Sequence, residues 1–191
     1  NYAIQPMSEA AFVELVTEDQ PAAPAYFIHA ATLNHQERPL LHEGERVRAI
    51  ELGALDAAVA DGAVVVDLRP VEDFAGGHLA GSLNVGLGGR FAEQVGSIVP
   101  VETPIVFVGT LDAANEAKVR LARIGFDDIV GVLADVQHVL EAAPERSARL
   151  SRLTASDLRA RQAELGDDLE LVDVRNPGEV TAAPVDGART I

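Results

Sequence analysis

The sequence predicts an α/β fold in which a parallel sheet is covered by helices on both faces. Three segments are apolar almost throughout, as strands buried on both faces are: AVVVDL at 63–68, PIVFV at 104–108 and DIVGVL at 128–133. Helical patterns separate these segments, and such alternation is typical of a parallel sheet. The chain has 191 residues, of which 48% are hydrophobic, which suits one domain or two small ones.

Residues 1–46 are predicted to form a short helix and an interdomain arm. The helix spans 8–18 and can be capped by Ser8, with Phe12, Leu15 and Val16 on one face. The segment 20–45 contains three prolines and has no sustained periodicity, as is usual for linkers and for arms on a neighbouring domain. Because it carries large apolar residues, we expect it to pack on the domain that follows and to bury Tyr26, Phe27, Leu40 and Leu41.

A regular domain is predicted over 47–142. Its helices are expected at 50–60, 71–75, 90–95, 112–124 and 135–142, and its strands at 63–68, 82–86, 104–108 and 128–133. The helix from Asp112 has the clearest signals, because basic residues crowd its C-terminal half and Gly125 follows as a cap.

The sequence also contains an internal repeat. DLRPVEDFAGGHLAGSLNV at 67–85 aligns without gaps with DVRNPGEVTAAPVDGARTI at 173–191. The aligned pairs, all 106 positions apart, include Asp67 with Asp173, Arg69 with Arg175, and Gly81 with Gly187. A spacing near one hundred residues indicates a duplicated domain. We therefore predict that 148–191 is the N-terminal half of a second copy, with a helix near 154–164 and strands near 169–173 and 189–191.

Composition excludes several classes of function. The chain has 15 basic and 30 acidic residues, a net charge of −15, which disfavours nucleic acid and anionic membranes as partners. It has no cysteine, which removes disulfides, thiolate metal sites and cysteine nucleophiles. The N-terminal residues lack the basic patch and apolar core of a secretory signal, and we expect a cytoplasmic protein.

The histidines do not form a metal-binding motif. No two of them have the H-x-H or H-x-x-x-H spacing, so we expect neither a metal nor another cofactor in this chain. The five are His29, His35, His42, His78 and His138.

The motif V-V-D-x-R-x-x-x-x-F-x-x-G-H-L-x-G-S-x-N resembles the first half of a rhodanese-homology domain. Here it is built on Asp67, Arg69, Phe74, Gly77, His78, Gly81 and Asn84. PIVFVG at 104–109 and RLARIGFDDI at 120–129 are similar to the second half of that domain. The resemblance implies a three-layer α/β/α fold with a short five-stranded parallel sheet in the order 1-5-4-2-3.

The arm carries a second resemblance. Tyr26-Phe27 and the N-x-x-x-R-P-L-L segment at 34–41 are similar to the connector in proteins that fuse a metallo-β-lactamase-fold hydrolase to rhodanese repeats. This implies an upstream hydrolase domain as partner, which would bind zinc or iron and act on a thioester or a persulfide.

The resemblance places the family's catalytic cysteine at Gly109. In active members, backbone N–H groups of a loop before a helix stabilise the cysteine thiolate, which carries sulfur as a persulfide. The corresponding segment has no Lys or Arg and carries an acidic residue at Asp112, and we interpret it as a degenerate active-site loop. It comprises Gly109, Thr110, Leu111, Asp112, Ala113, Ala114 and Asn115.

The other motif residues are interpreted as structural. Asp67 and Arg69 follow a strand, where catalytic groups often lie, but an acid and a base two residues apart more often form an ion pair. His78 is expected to be packed and hydrogen-bonded, and Thr110 has no base in sequence reach that would make it a nucleophile.

The sequence therefore favours a non-catalytic rhodanese-like module with a structural, docking or self-association role. The alternative is a sulfurtransferase whose catalytic cysteine lies in the second repeat beyond Ile191. A third hypothesis, a sensor that binds a small anion in the degenerate loop, is opposed by Asp112. The strand of the half-domain at 169–173 lacks one neighbour within the sequence. We expect the half-domain to associate with the first repeat or with a second copy, the alternative being that further residues complete its sheet.

Overall fold

The computed structural model describes four segments of the chain: residues 6–17, 23–24, 26–37 and 44–190. The chain divides into two compact units, 1–150 and 151–191. The described residues contain no helix that is both long enough and apolar enough to cross a bilayer.

The first unit contains seven described α-helices, a 3₁₀ helix (Pro144–Arg146) and six described strands. The helices are α1 (Glu9–Thr17), α2 (Tyr26–Asn34), α3 (Leu52–Ala60), α4 (Val71–Gly76), α5 (Phe91–Ile98), α6 (Leu111–Ala122) and α7 (Val136–Ala142). The strands are β1 (Val64–Asp67), β2 (His78–Leu79), β3 (Leu83–Asn84), β4 (Ile105–Val108), β5 (Ile129–Leu133) and β6 (Ser147–Ala148).

The main sheet is parallel and has the order β3-β1-β4-β5. It has four strands rather than the five expected, because the fifth position is held by a single parallel bridge from Ala49 to Val132. Counted with that bridge, the order is the expected 1-5-4-2-3. A Cβ on Gly131 would stand 2.6 Å from Cγ2 of Ile50, so glycine lets this segment lie against β5.

The sheet separates two hydrophobic cores, which confirms the three-layer fold. β4 is buried along its whole length, and its alternate residues face opposite sides. Ile105 and Phe107 lie in a core with Phe91, Val95 and Leu121. Val106 and Val108 lie in the other core, with Leu55, Leu133 and Leu140.

The predicted arm contains a helix, α2, that packs on the first unit. Tyr26 is buried against Gly96 of α5, and His29 and Leu33 lie against Gly125 at the end of α6. His29 Nε2 lies 3.2 Å from the carbonyl oxygen of Gly125. The prediction that Phe27 is buried is wrong, because its side chain is on the outer side of α2 and 52% exposed.

Two further predictions for the N-terminal part have different outcomes. Leu40 and Leu41 lie outside the described residues. α1 begins as predicted, with Ser8 Oγ accepting a hydrogen bond from the backbone N–H of Ala11 at 3.2 Å. None of its side chains is buried, Phe12 included.

The first unit continues beyond α7. β6 pairs antiparallel with β2, and the backbone N–H of Leu150 donates to the carbonyl oxygen of Ala75 at 3.0 Å. Arg146 forms two hydrogen bonds to the Asp56 carboxylate, at 3.0 and 2.6 Å. The segment that leaves α7 is thus anchored to α3 and β2.

The second unit contains α8 (Ala155–Leu165), β7 (Leu171–Asp173), α9 (Pro177–Ala182) and β8 (Ala188–Thr190). β7 and β8 are parallel, with Val172 opposite Arg189, and Val66 lies opposite Leu83 in the first unit. Both of these residues are shifted by 106 between the copies (172 − 66 and 189 − 83). The repeat therefore preserves strand register as well as sequence.

Candidate functional site

Gly109 lies directly after β4, at the carboxyl edge of the sheet. Its φ is +144°, a conformation that residues with a side chain rarely adopt. Its N–H donates to the carbonyl oxygen of Leu133 at 3.2 Å, which continues the pairing of β4 with β5. The position that the resemblance assigns to a cysteine therefore has a backbone suited to glycine.

Thr110 forms the N-cap of α6. Its Oγ1 accepts a hydrogen bond from the N–H of Ala113 at 3.1 Å, and its carbonyl oxygen accepts one from the N–H of Ala114 at 3.0 Å. The helix begins at Leu111, one residue before the helix start predicted at Asp112, so only Gly109 and Thr110 of the residues assigned to the degenerate loop precede it. Two of the N–H groups at the start of α6, those of Ala113 and Ala114, are thus hydrogen-bonded to Thr110 rather than free for a bound anion.

The remaining residues of the predicted loop have structural or solvent-facing positions. Asn115 Oδ1 accepts from the N–H of Val47 at 2.8 Å, and its Nδ2 donates to the carbonyl oxygen of Leu111 at 2.8 Å. Leu111 and Asp112 are exposed. Asn115 thus fastens the start of the domain to α6, a role that sequence reasoning missed because its partner is 68 residues away.

Asp67 and Arg69 form a tight ion pair at the end of β1. The carboxylate is fully buried and accepts from the Arg69 backbone N–H at 3.0 Å, from Nε at 3.0 Å and from Nη2 at 2.7 Å. Nη2 also donates to the carbonyl oxygen of Gly77 at 2.9 Å. These bonds connect the end of β1 to the end of α4, and the Arg69 guanidinium is already hydrogen-bonded within the protein.

His78 is buried beside the same loop. Its ring is stacked on Phe74, with centroids 3.7 Å apart, and Nδ1 lies 2.8 Å from the Phe74 carbonyl oxygen. Gly81 follows with a φ of +85°, which permits the turn into β3. The histidine is therefore a packed residue of the α4–β2 corner.

The second copy repeats the ion pair. Arg175 Nη2 lies 2.6 Å from Asp173 Oδ2 and 2.9 Å from the carbonyl oxygen of Ala183, which is equivalent to Gly77. Hydrogen bonds from the Arg175 guanidinium lower the pKa of the Asp173 carboxyl. Gly187 has a φ of +78°, close to that of Gly81.

A cleft of about 510 Å³ lies at the ends of β1 and β5. Its charged lining consists of Arg69 and three carboxylates, Glu72, Asp73 and Asp135. Because the Arg69 guanidinium is paired with Asp67, this lining is a poor environment for an anion. The cleft does not include residues 109–115.

The described residues do not form a metal site. Four of the five histidines are described, and no group of three or more His, Asp or Glu side chains is placed to hold a metal ion among them or their described neighbours.

Residues 51–135 match the family model of the Rhodanese-like domain, and this part of the chain is therefore a rhodanese-like domain. The chain is similar to a solved metallo-beta-lactamase from Staphylococcus aureus subsp. aureus COL, at 27% identity and a TM-score of 0.57. That match covers 69% of this chain and 36% of the other, so this chain spans about a third of the protein it resembles.

Rhodanese-like domains from Anabaena sp. also match, although more distantly. One is 15% identical with a TM-score of 0.42, over 49% of this chain and 98% of the other. Another is 16% identical with a TM-score of 0.45, over 67% of this chain and 93% of the other. No curated protein sequence matches the chain.

Proposed function

We propose that this chain is a non-catalytic rhodanese-like module of a larger metallo-β-lactamase-fold hydrolase. Its role is to hold or orient the catalytic domain or to mediate self-association. The observation that carries the proposal is the structure around Gly109, at the place where the resemblance assigns a cysteine.

The backbone conformation at Gly109 supports the loss of the catalytic nucleophile rather than its replacement by another nucleophilic side chain. A φ of +144° is strained for any residue with a Cβ, and such strain costs on the order of 1–3 kcal/mol. The segment has therefore adopted a conformation in which a catalytic side chain is poorly accommodated.

The electrostatics of the segment also disfavour a catalytic thiolate or a bound anion. An anion at the start of α6 would meet the exposed Asp112 in the first turn, and its N–H partners would have to exchange with Thr110 Oγ1. The anion-sensor hypothesis has no support from this arrangement, because the negative charge of Asp112 in the first turn of α6 repels an anion.

The hydrolase part of the proposal is supported by the similarity to the metallo-beta-lactamase from Staphylococcus aureus, whose chain is longer than this one. We propose that the zinc or iron and the thioester or persulfide chemistry belong to an upstream hydrolase domain. A cytoplasmic location, which the absence of cysteine favours, is part of the same proposal.

The test is a thiosulfate:cyanide sulfurtransferase assay on three proteins. These are the chain itself, Gly109→Cys and a control, Val59→Cys, which places a cysteine on an exposed position of α3. We expect thiocyanate production by all three to equal the buffer rate. Activity of the unmodified chain above buffer would overturn the proposal, and efficient turnover by Gly109→Cys would show that an intact cradle remains.

The second candidate is a sulfurtransferase whose cysteine lies in a longer second repeat. The ion pair of Asp173 and Arg175 favours it, because the second copy retains the same loop anchor as the first. The same assay on the longest natural form of the protein separates the two candidates, since only the second predicts cyanide-dependent turnover.

A further inference from the structure

We propose that α2 is a strap that docks reversibly on the rhodanese-like domain and opens without unfolding it. It docks on a glycine notch, which we define as Gly96 in α5 and Gly125 just beyond the C-terminal end of α6. The inference rests on the orienting role in the proposed function and adds a means of regulating it. Opening of the strap would change how freely the domain moves relative to the proposed hydrolase domain.

The domain is anchored at its start by contacts that do not involve α2. The N–H of Ile50 donates to the carbonyl oxygen of Val132, and the N–H of Val132 donates to the carbonyl oxygen of Arg48, both at 2.9 Å. The side chain of Asn115 holds the same segment against α6. The match to the family model begins at residue 51, after α2. The strap is therefore an addition to a domain that is fastened without it.

The contact between α2 and the domain is small. Tyr26 is the one buried residue among the nine of α2, whereas α5 has three buried residues in eight. Phe27 and Ile28, on the outer side, are 52% and 78% exposed. Among the described residues, one hydrogen bond joins α2 to the domain, at 3.2 Å between His29 Nε2 and the carbonyl oxygen of Gly125. Segments with so few buried contacts open at a lower free-energy cost than the whole domain.

The glycine notch defines a single docked position for the strap. A Cβ on Gly96 would stand 2.5 Å from Cδ1 of Tyr26, and a Cβ on Gly125 would stand 2.6 Å from Cδ1 of Leu33 and 2.9 Å from Cδ2 of His29. Away from the notch α2 has little stability of its own, because helices shorter than about 12–15 residues are marginal in water. Opening should therefore remove the contact and the helix together.

Hydrogen exchange on the 191-residue protein measures the opening of α2 and of the domain separately. The reporters are the helical amides of residues 30–34 in α2 and the amides of β4, which is buried along its length. We expect the α2 amides to exchange as a group, with protection at least about 100-fold lower than that of the β4 amides. Equal protection of the two sets would overturn the proposal, because α2 would then open only when the domain unfolds.

A variant of the domain distinguishes opening of the strap from global unfolding. Arg146 is bonded to Asp56 of α3, and α3 contributes Leu55 to the core on the other face of the sheet from Tyr26. Arg146→Ala destabilises the domain and should speed exchange in β4 by roughly 2- to 5-fold. Exchange in α2 should not change, because the strap opens before the domain unfolds. Equal acceleration of both sets of amides would contradict the proposal.

A variant of the strap tests the contact itself. Tyr26→Ala should speed exchange in α2 at least about 10-fold and leave the domain folded, with β4 still protected. Phe27→Ala, at the exposed neighbouring position, is the matched control and should change exchange in α2 by less than about 3-fold. Unfolding of the domain in Tyr26→Ala, or unchanged exchange in α2, would overturn this inference. Neither result bears on the sulfurtransferase assay, so failure here is distinguishable from failure of the non-catalytic role.

Discussion

Gly96→Ala tests whether the N-terminal arm belongs to the rhodanese-like domain. A Cβ at this position would stand 2.5 Å from Cδ1 of Tyr26 and 3.0 Å from Cδ1 of Ile124. The ring of Tyr26 is buried, and this burial is the main cause of the raised pKa of its phenol. The ring therefore cannot move away from the added Cβ without exposing apolar surface. We expect the variant to lose stability.

The size of the effect follows from two opposing contributions. Overpacking a buried contact costs about 1–3 kcal/mol, and replacing a helical glycine by alanine returns roughly 0.5–1 kcal/mol. Gly53→Ala is the matched control, because Gly53 lies in α3 with no atom within 4 Å of the added Cβ. The two variants should thus differ by about 1–3 kcal/mol, or several degrees in Tm.

A double-mutant cycle assigns the cost to Tyr26. In a Tyr26→Ala background, Gly96→Ala should lose most of its penalty, giving a coupling of about 0.5–3 kcal/mol by thermal or urea unfolding. A Tm for Gly96→Ala that rises as much as that of Gly53→Ala would refute the reasoning. So would an undiminished penalty in the Tyr26→Ala background.

Two further predictions concern polar contacts that anchor the first unit. Arg146→Ala should lower the free energy of unfolding by roughly 0.5–1 kcal/mol at pH 7, since both partners of the ion pair are about two-fifths exposed. Hydrogen bonding to Arg146 lowers the pKa of Asp56, so this contribution is present above the unfolded carboxyl pKa of about 3.9. It is lost as pH falls through the lower folded pKa, and melting curves of variant and wild type should converge in acid; a constant difference would contradict this. Asn115→Ala should cost about 1–3 kcal/mol by removing the acceptor for the Val47 N–H, and should speed hydrogen exchange at that amide. Asn115→Asp keeps the acceptor and should preserve slow exchange, whereas equal exchange in both variants would show that the contact does not protect Val47.

The sheet could be predicted from the sequence because its strands carry their own signals. The strand at 104–108 is apolar throughout and becomes β4, buried along its length. The helix expected from Asp112 begins one residue earlier, at Leu111. In contrast, the loop expected at 110–115 came from the resemblance rather than from the residues. Thr110, a favourable N-cap, and the acidic first turn favour a helix start there.

The arm could not be predicted in the same way. α2 lies in a proline-containing segment without helical periodicity, and its packing depends on Gly96 and Gly125, about 70 to 100 residues away. These glycines let α2 approach closely because they have no side chain, and such a contact cannot be recognised from the sequence of α2 itself. For the same reason Phe27 could not be distinguished from its buried neighbour Tyr26 by composition alone.

The central claim is that the edge at Gly109 no longer stabilises a thiolate, and the pKa of a single introduced thiol tests it most directly. Gly109→Cys would carry the only cysteine in the chain, so the pH dependence of its alkylation rate reports that one group. With Thr110 capping α6 and Asp112 in the first turn, we expect a thiol pKa at or above the ordinary value of about 8.5. Val59→Cys provides the exposed reference. A thiol pKa below about 7 at position 109, with an ordinary value at position 59, would mean that a working anion cradle survives and would contradict the account.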